Sequence, residues 1–301
     1  MKKGILLLLP ILCIAKNLSL EHRINPPNRE LMDVEIVNDI MIIPGNLDGY
    51  DFYDISDPTD PTIIANLEIP MGNGNRSLPG IWVSATDSVA YFTCRTKQEG
   101  SAIVDFSDPN NPVHIGALSL SGTDMNDPSF EGSDISGNLL AVAMHEDGVI
   151  FYDISDPLEP DLILQRPCEN AWTVAFIDSN HYVIGNGDHG IIIEEFYCLE
   201  DTCESSSFPT EGAVKDLAIK DHLLFVAEGS DGISIYDILD IDQPILLDRY
   251  DTPGLSNKIA LFGTNKIAVS DWLDVKILEW TGTGLELVGY KSTGKRTMAI
   301  G

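Results

Sequence analysis

The chain has 301 residues, 47 of them acidic and 18 basic, for a formal charge of −29. An excess of that size repels phosphate backbones and anionic headgroups at long range, which sets nucleic acid and membrane surfaces aside as partners. The same charge also serves plain solubility or a salty medium.

Residues 1–15 have the layout of a removable leader. Lys2 and Lys3 supply a positive start, and Ile5–Ile14 form an apolar stretch too short to span a bilayer. Cys13-Ile14-Ala15 offers a small-residue cleavage site before Lys16. Export follows as the expectation, with the mature protein extracellular, periplasmic or at the cell surface. Cys13 is alternatively a lipid-bearing cysteine, although Leu12 stands where such signals carry a small residue. Residues 16–30 read as an N-terminal extension, and residues 31–301 as one repeat-built body with no membrane span.

In that body one phrase recurs: an apolar strand ending in an acid, a proline-containing turn, then another apolar strand. Clear copies are Gly49–Pro61, Gly100–Pro112, Gly148–Pro160 and Gly232–Pro244, with degenerate ones starting at Gly190 and Asp274. The six starts lie 51, 48, 42, 42 and 42 residues apart, a period that marks a propeller or a helical array. Gly and Pro recur too often for helices of ordinary length, so four-stranded antiparallel blades are expected. In the third unit these fall at Ser133–Ser136, Leu139–Met144, Val149–Ile154 and Leu162–Gln165. Gly137-Asn138, Asn38-Asp39 and Lys220-Asp221 mark the first hairpin turns. Near-continuous apolar runs such as Leu-Leu-Ala-Val-Ala-Met imply strands buried on both faces. Six blades are expected, with Arg296–Gly301 as a closing strand; seven is the alternative for a longer chain.

Ala102-Ile-Val-Asp105, Phe151-Tyr-Asp-Ile154 and Ile235-Tyr-Asp-Ile238, each running toward an Asp-containing turn and Pro, resemble the LVIVD repeat of exported bacterial and archaeal β-propellers. The likeness spans residues 31–301. It implies an all-β propeller at or beyond the cell surface and brings no catalytic motif. Read physically, Asp54, Asp105, Asp153 and Asp237 each end a strand where a carboxylate can accept N–H groups of the following turn, and proline then stops the ladder.

Binding residues are expected where the repeats differ, since an asymmetric ligand cannot be read by identical positions. The second-strand ends carry Asn46, Arg95, His145, Asn186, Glu228 and Asp271, with Glu146, Asp188, His189 and Asp231 beside them. These form either a binding face or ordinary solvated hairpin tips. The first strands, facing the axis, carry Trp82, Ser133, Trp172, Lys215, Lys258 and Arg296. The tryptophans and cations there could cradle an anionic or sugar-like ligand, or pack between blades.

Four cysteines follow the leader. Cys198 and Cys203 flank an acidic loop where a bridge could replace the missing proline turn, and Cys94 would then pair with Cys168 by elimination. Their spacings fit no zinc signature. The expected role is a monomeric binding module for a protein, small molecule or carbohydrate, with no cofactor. The alternative is a calcium-assisted secreted hydrolase acting on phosphate esters or polysaccharide, which the exposed carboxylates could serve.

Overall fold

A computed structural model describes residues 16–17, 32–45, 49–71, 77–94, 100–121, 129–196, 205–297 and 300. The leader, Asn46, Arg95, Cys198 and Cys203 lie outside the described residues. Strand β1 (Lys16–Asn17) comes first. Blade one is β2 (Glu35–Val37), β3 (Ile40–Pro44), β4 (Tyr50–Asp54) and β5 (Thr62–Leu67); blade two is β6 (Trp82–Ala85), β7 (Val89–Thr93), β8 (Ser101–Asp105) and β9 (Val113–Gly116). Blade three is β10 (Ser133–Ser136), β11 (Leu139–Ala143), β12 (Val149–Asp153) and β13 (Asp161–Arg166), matching the strands expected there to within a residue. Blade four is β14 (Thr173–Phe176), β15 (His181–Gly185), β16 (Ile191–Glu195) and β17 (Ser205–Phe208); blade five is β18 (Asp216–Lys220), β19 (Leu223–Ala227), β20 (Ile233–Asp237) and β21 (Ile245–Tyr250). Each of these blades is an antiparallel four-stranded sheet in sequential order.

Blade six is built from β22 (Ser256–Phe262), β23 (Lys266–Trp280) and β24 (Leu285–Thr297), with β1 added parallel to β24. β23 fills both middle positions. Its first half pairs with β22 and its second with β24, Trp272 takes φ +56° between them, and the Trp280 N–H returns to the Asn265 carbonyl. Arg296 and Thr297 prolong β24 beside Trp272 instead of starting a separate closing strand, because the β23–β24 ladder runs on past Ser292.

The glycines expected at third-strand entrances, Gly49, Gly100, Gly148, Gly190 and Gly232, all immediately precede that strand and all hold positive φ, between +47° and +91°. At Gly232 a Cβ would stand 2.2 Å from the Tyr250 carbonyl oxygen, so the fourth strand's approach also requires glycine. The first hairpin turns carry positive φ at Asn38, Gly137 and Asp221, the last shifting the expected Lys220-Asp221 turn one residue onward. After each third strand the anticipated carboxylate bonds are present. Asp54, Asp105, Asp153 and Asp237 accept the N–H two residues on at 2.7–2.9 Å. The second acid of the phrase repeats the device, Asp57, Asp108, Asp156 and Asp240 accepting from Thr59, Asn110, Leu158 and Asp242. In the degenerate sixth copy Glu279 instead takes a bond from the Asn265 amide.

Second and third strands are buried on both faces, while fourth strands such as β9 are largely exposed. The core is therefore laid between blades. Apolar clusters centred on Phe52 and Phe92, Tyr91 and Tyr152, Phe151 and Tyr182, Val183 and Leu224, and Ile235 and Val269 fill the five junctions from blade one to blade six. Among the described residues the junction of blade six with blade one is crossed by an ion pair, Lys258 Nζ to Asp33 Oδ1 at 3.0 Å, with both side chains buried.

Cys94 and Cys168 carry no bond to each other. The pairing inferred by elimination is thus corrected, and the reason is topological. Cys94 packs between blades one and two and Cys168 between blades three and four, so no bridge of ordinary reach joins them. Burial pushes the Cys168 thiol up to about 11, away from reactivity. Among the described residues no helix is long and apolar enough to cross a membrane.

Candidate functional site

The first strands of all six blades converge on the axis and line an open cavity of about 470 Å³. Its chemistry comes from Asp33, Glu35, Trp82, Ser133, Asp134, Asp216 and Lys258, with Ile300 also on its wall. Three of the acids tie neighbouring blades together. Asp33 accepts the Val83 N–H at 3.0 Å, Asp134 the Phe176 N–H at 2.8 Å and Asp216 the Ile259 N–H at 2.8 Å. Between blades two and three the Ser84 hydroxyl fills this role, donating to the Ser133 carbonyl at 3.0 Å. An inner strand has no partner strand on its axial side, and these bonds satisfy N–H groups, and at Ser133 a carbonyl, on that open edge.

Glu35 differs. It has no hydrogen-bond partner among the described residues, and burial pushes its carboxyl up to about 7, with Asp33 and Asp134 adding repulsion and Lys258 partly opposing. Burial likewise moves Asp216 to about 6, against the pull of Lys258 and the Ile259 N–H. Asp134 is raised for the same reason. Lys258 serves as the local counter-charge, its ammonium lying 2.9 Å from the Trp82 ring centroid as well as beside Asp33.

The residues expected from sequence fall into three groups. Trp82, Ser133 and Lys258 line the cavity. His145, Trp172 and Lys215 form a second cluster, the Lys215 ammonium 4.1 Å above the Trp172 ring and the His145 ring 5.9 Å from it. His145 also takes φ +54°, and its backbone exchanges two hydrogen bonds with Ala171, which fastens the entry loop of blade four. The side chain of Arg296 lies outside the described part.

Asn186, Glu228 and Asp271 each engage partners of their own. Asn186 accepts the Asn170 N–H at 2.7 Å. Fully buried Glu228 accepts the Glu211 and Gly212 N–H groups at 3.0 and 3.2 Å and the Ser234 hydroxyl. Each thus pins the loop that brings the chain in from one blade to the next. Asp271 is buried against the Lys276 ammonium, which Asp274 shares. Glu146, Asp188, His189 and Asp231 are exposed; His189 meets Glu169 at 3.0 Å, and Asp231 the Ser230 hydroxyl at 3.0 Å. Among the described residues no group of three or more His, Cys, Asp or Glu is placed to hold a metal ion.

Sequence reasoning missed Asp33, Glu35, Asp134 and Asp216. A signal existed: Asp33-Val, Asp134-Ile and Asp216-Leu each put an acid before an aliphatic residue at the start of a first strand.

The LVIVD repeat family model matches residues 211–252, which cover blade five and the loop that leads into it. The chain therefore carries an LVIVD repeat, as its sequence pattern suggested. No curated protein matches. The fold is similar to that of the RRP9 WD40 repeats (TM-score 0.72, 10% identity, 91% of this chain and 84% of that one covered). It is also similar to a hypothetical selenium-binding protein from Sulfolobus tokodaii (0.71, 15%, 92% and 84%) and to the periplasmic gluconolactonase PpgL of Pseudomonas aeruginosa (0.69, 10%, 88% and 86%). At these identities the likeness establishes the β-propeller fold alone.

Proposed function

We propose that this chain is an exported propeller that works as a binding module, taking a small polar ligand into its axial cavity. The observation that carries the reading is that each of the six blades contributes a different set of side chains to one axial space. Asp33 and Glu35 come from blade one, Trp82 from two, Ser133 and Asp134 from three, Thr173 from four, Asp216 from five and Lys258 from six. Asymmetry of this kind is needed to orient a ligand, and a volume of about 470 Å³ falls within the few-hundred-to-1,000 Å³ range of small-molecule pockets. Export is supported by the leader-like residues 1–15.

Binding is favoured over hydrolysis by where the histidines are used. His181 is paired with Asp178 in a hairpin, His189 with Glu169, and His114 with the Gly116 carbonyl, none of them lining the cavity. Glu228 and Asp271, the acids that a calcium site would enlist, are already committed to separate internal partners. A thermal-shift screen of small polar compounds tests the reading, run in parallel on the wild type and on Ala260→Phe, which fills the cavity from β22. Compounds that stabilise the wild type and not the variant are expected. Hits of equal size on both would place binding elsewhere.

A further inference from the structure

We propose that the axial cavity selects a small organic cation, of the aliphatic amine class, and releases it on acidification. This rests on the reading that the cavity is the binding site. Its lining sets four carboxylates, Asp33, Glu35, Asp134 and Asp216, against one cation, Lys258. An anion entering would meet that excess, and a neutral polyol would gain hydrogen bonds from it but no charge pairing. The cavity already holds one ammonium in a suitable arrangement, that of Lys258 between the Trp82 face and the Asp33 carboxylate. Three of the carboxylates are held by N–H groups of the next blade, whereas Glu35 has no hydrogen-bond partner among the described residues and stands ready for a second ammonium.

The pH response follows from what faces Glu35. Asp33 on its own blade and Asp134 across the axis repel its charge, Lys258 attracts it, and burial outweighs both, so its carboxyl titrates at about 7. Below that pH Glu35 is neutral and offers an ammonium no counter-charge; above it the carboxylate is present. Asp216, at about 6, adds to the same trend. If the ionised form is the competent one, affinity falls roughly tenfold per pH unit below the titration point.

Isothermal titration of the full chain with putrescine at pH 8.0 and pH 5.5 tests this, with succinate, xylitol and calcium chloride as comparators. The expected result is that putrescine binds at pH 8.0, binds at least tenfold more weakly at pH 5.5, and in Glu35→Gln loses affinity and most of its pH dependence, the remainder belonging to Asp216. That variant's melting curve confirms folding. Tighter binding of succinate or xylitol than of putrescine, abolished by Ala260→Phe, would overturn the cation proposal and leave the binding-module reading standing. Calcium binding more tightly than putrescine would overturn it in favour of a metal site. Hits in the compound screen that Ala260→Phe abolishes, with no putrescine binding at either pH, would also overturn it. With no such hits either, both readings fall.

Discussion

Glu35 sits at the axis without a donor among the described residues, its carboxyl raised from 4.5 to about 7 first by burial and then by Asp33 and Asp134. A folded-state value above the unfolded one means that the native protein holds this proton more tightly. The stabilisation is complete below about pH 4.5 and is lost as pH rises through about 7. Glu35→Gln removes the titration while keeping the shape. Thermal melts should therefore show the variant more stable than the wild type at pH 8, by on the order of 1–2 kcal/mol, and indistinguishable at pH 4. An equal shift at both pH values would show that the ionised carboxylate is not what strains the axis. Burial raises the Glu228 carboxyl as well, but there two N–H groups and a hydroxyl hold the charged form and oppose the shift. Glu228→Ala should cost about 2–4 kcal/mol in urea unfolding by leaving the Glu211 and Gly212 N–H groups without their acceptor. A loss below 0.5 kcal/mol would show that the loop does not depend on it.

The elements owe their regularity to a turn that is repeated with small variations. Two aspartates in succession cap the backbone after each clear third strand, and a glycine of positive φ opens that strand; a Cβ would meet the fourth strand's carbonyl at Gly49, Gly148 and Gly232, and the Phe130 ring at Gly100. The two causes of glycine preference can be separated. Gly232 combines φ +84° with a carbonyl 2.2 Å from any Cβ, whereas Gly137 has φ +58° and open space. Gly232→Ala should lose more than about 2 kcal/mol in chemical denaturation, and Gly137→Ala about 1 kcal/mol. Similar losses would show that crowding by the fourth strand is not a factor. This layer was legible in the sequence because its cause is local: the carboxylate, the turn and the glycine lie within a dozen residues and recur. Asp33, Asp134 and Asp216 were not, since each bonds to a strand 42–50 residues away and looks in sequence like any solvated acid. Trp82 and Lys258 were found for the right strand position, but their mutual contact joins blade two to blade six and has no local trace. The Cys94–Cys168 pairing failed for the same reason, as elimination says nothing about which blade junction a cysteine enters.

As a whole the molecule is a ring whose junctions are not equivalent. Apolar clusters join the blades in order from one to six, and the buried pair Lys258–Asp33 spans from six back to one. Lys258 also offsets the charge of Glu35 and Asp216, so its removal should be felt most where those groups are ionised. Lys258→Met is expected to cost about 2–4 kcal/mol at pH 8, as removal of one partner of a buried pair does, and clearly less at pH 5. A loss independent of pH would assign the effect to packing against Trp82 instead. The ring matters because it brings six dissimilar first strands around one space. The most direct test of the account is therefore a crystal structure determined at pH 8 with the strongest-binding compound of the screen present. The account predicts that molecule inside the axial cavity, in contact with Glu35 and Trp82. A ligand seated on the outer strands or hairpin tips, with the cavity holding solvent alone, would contradict it.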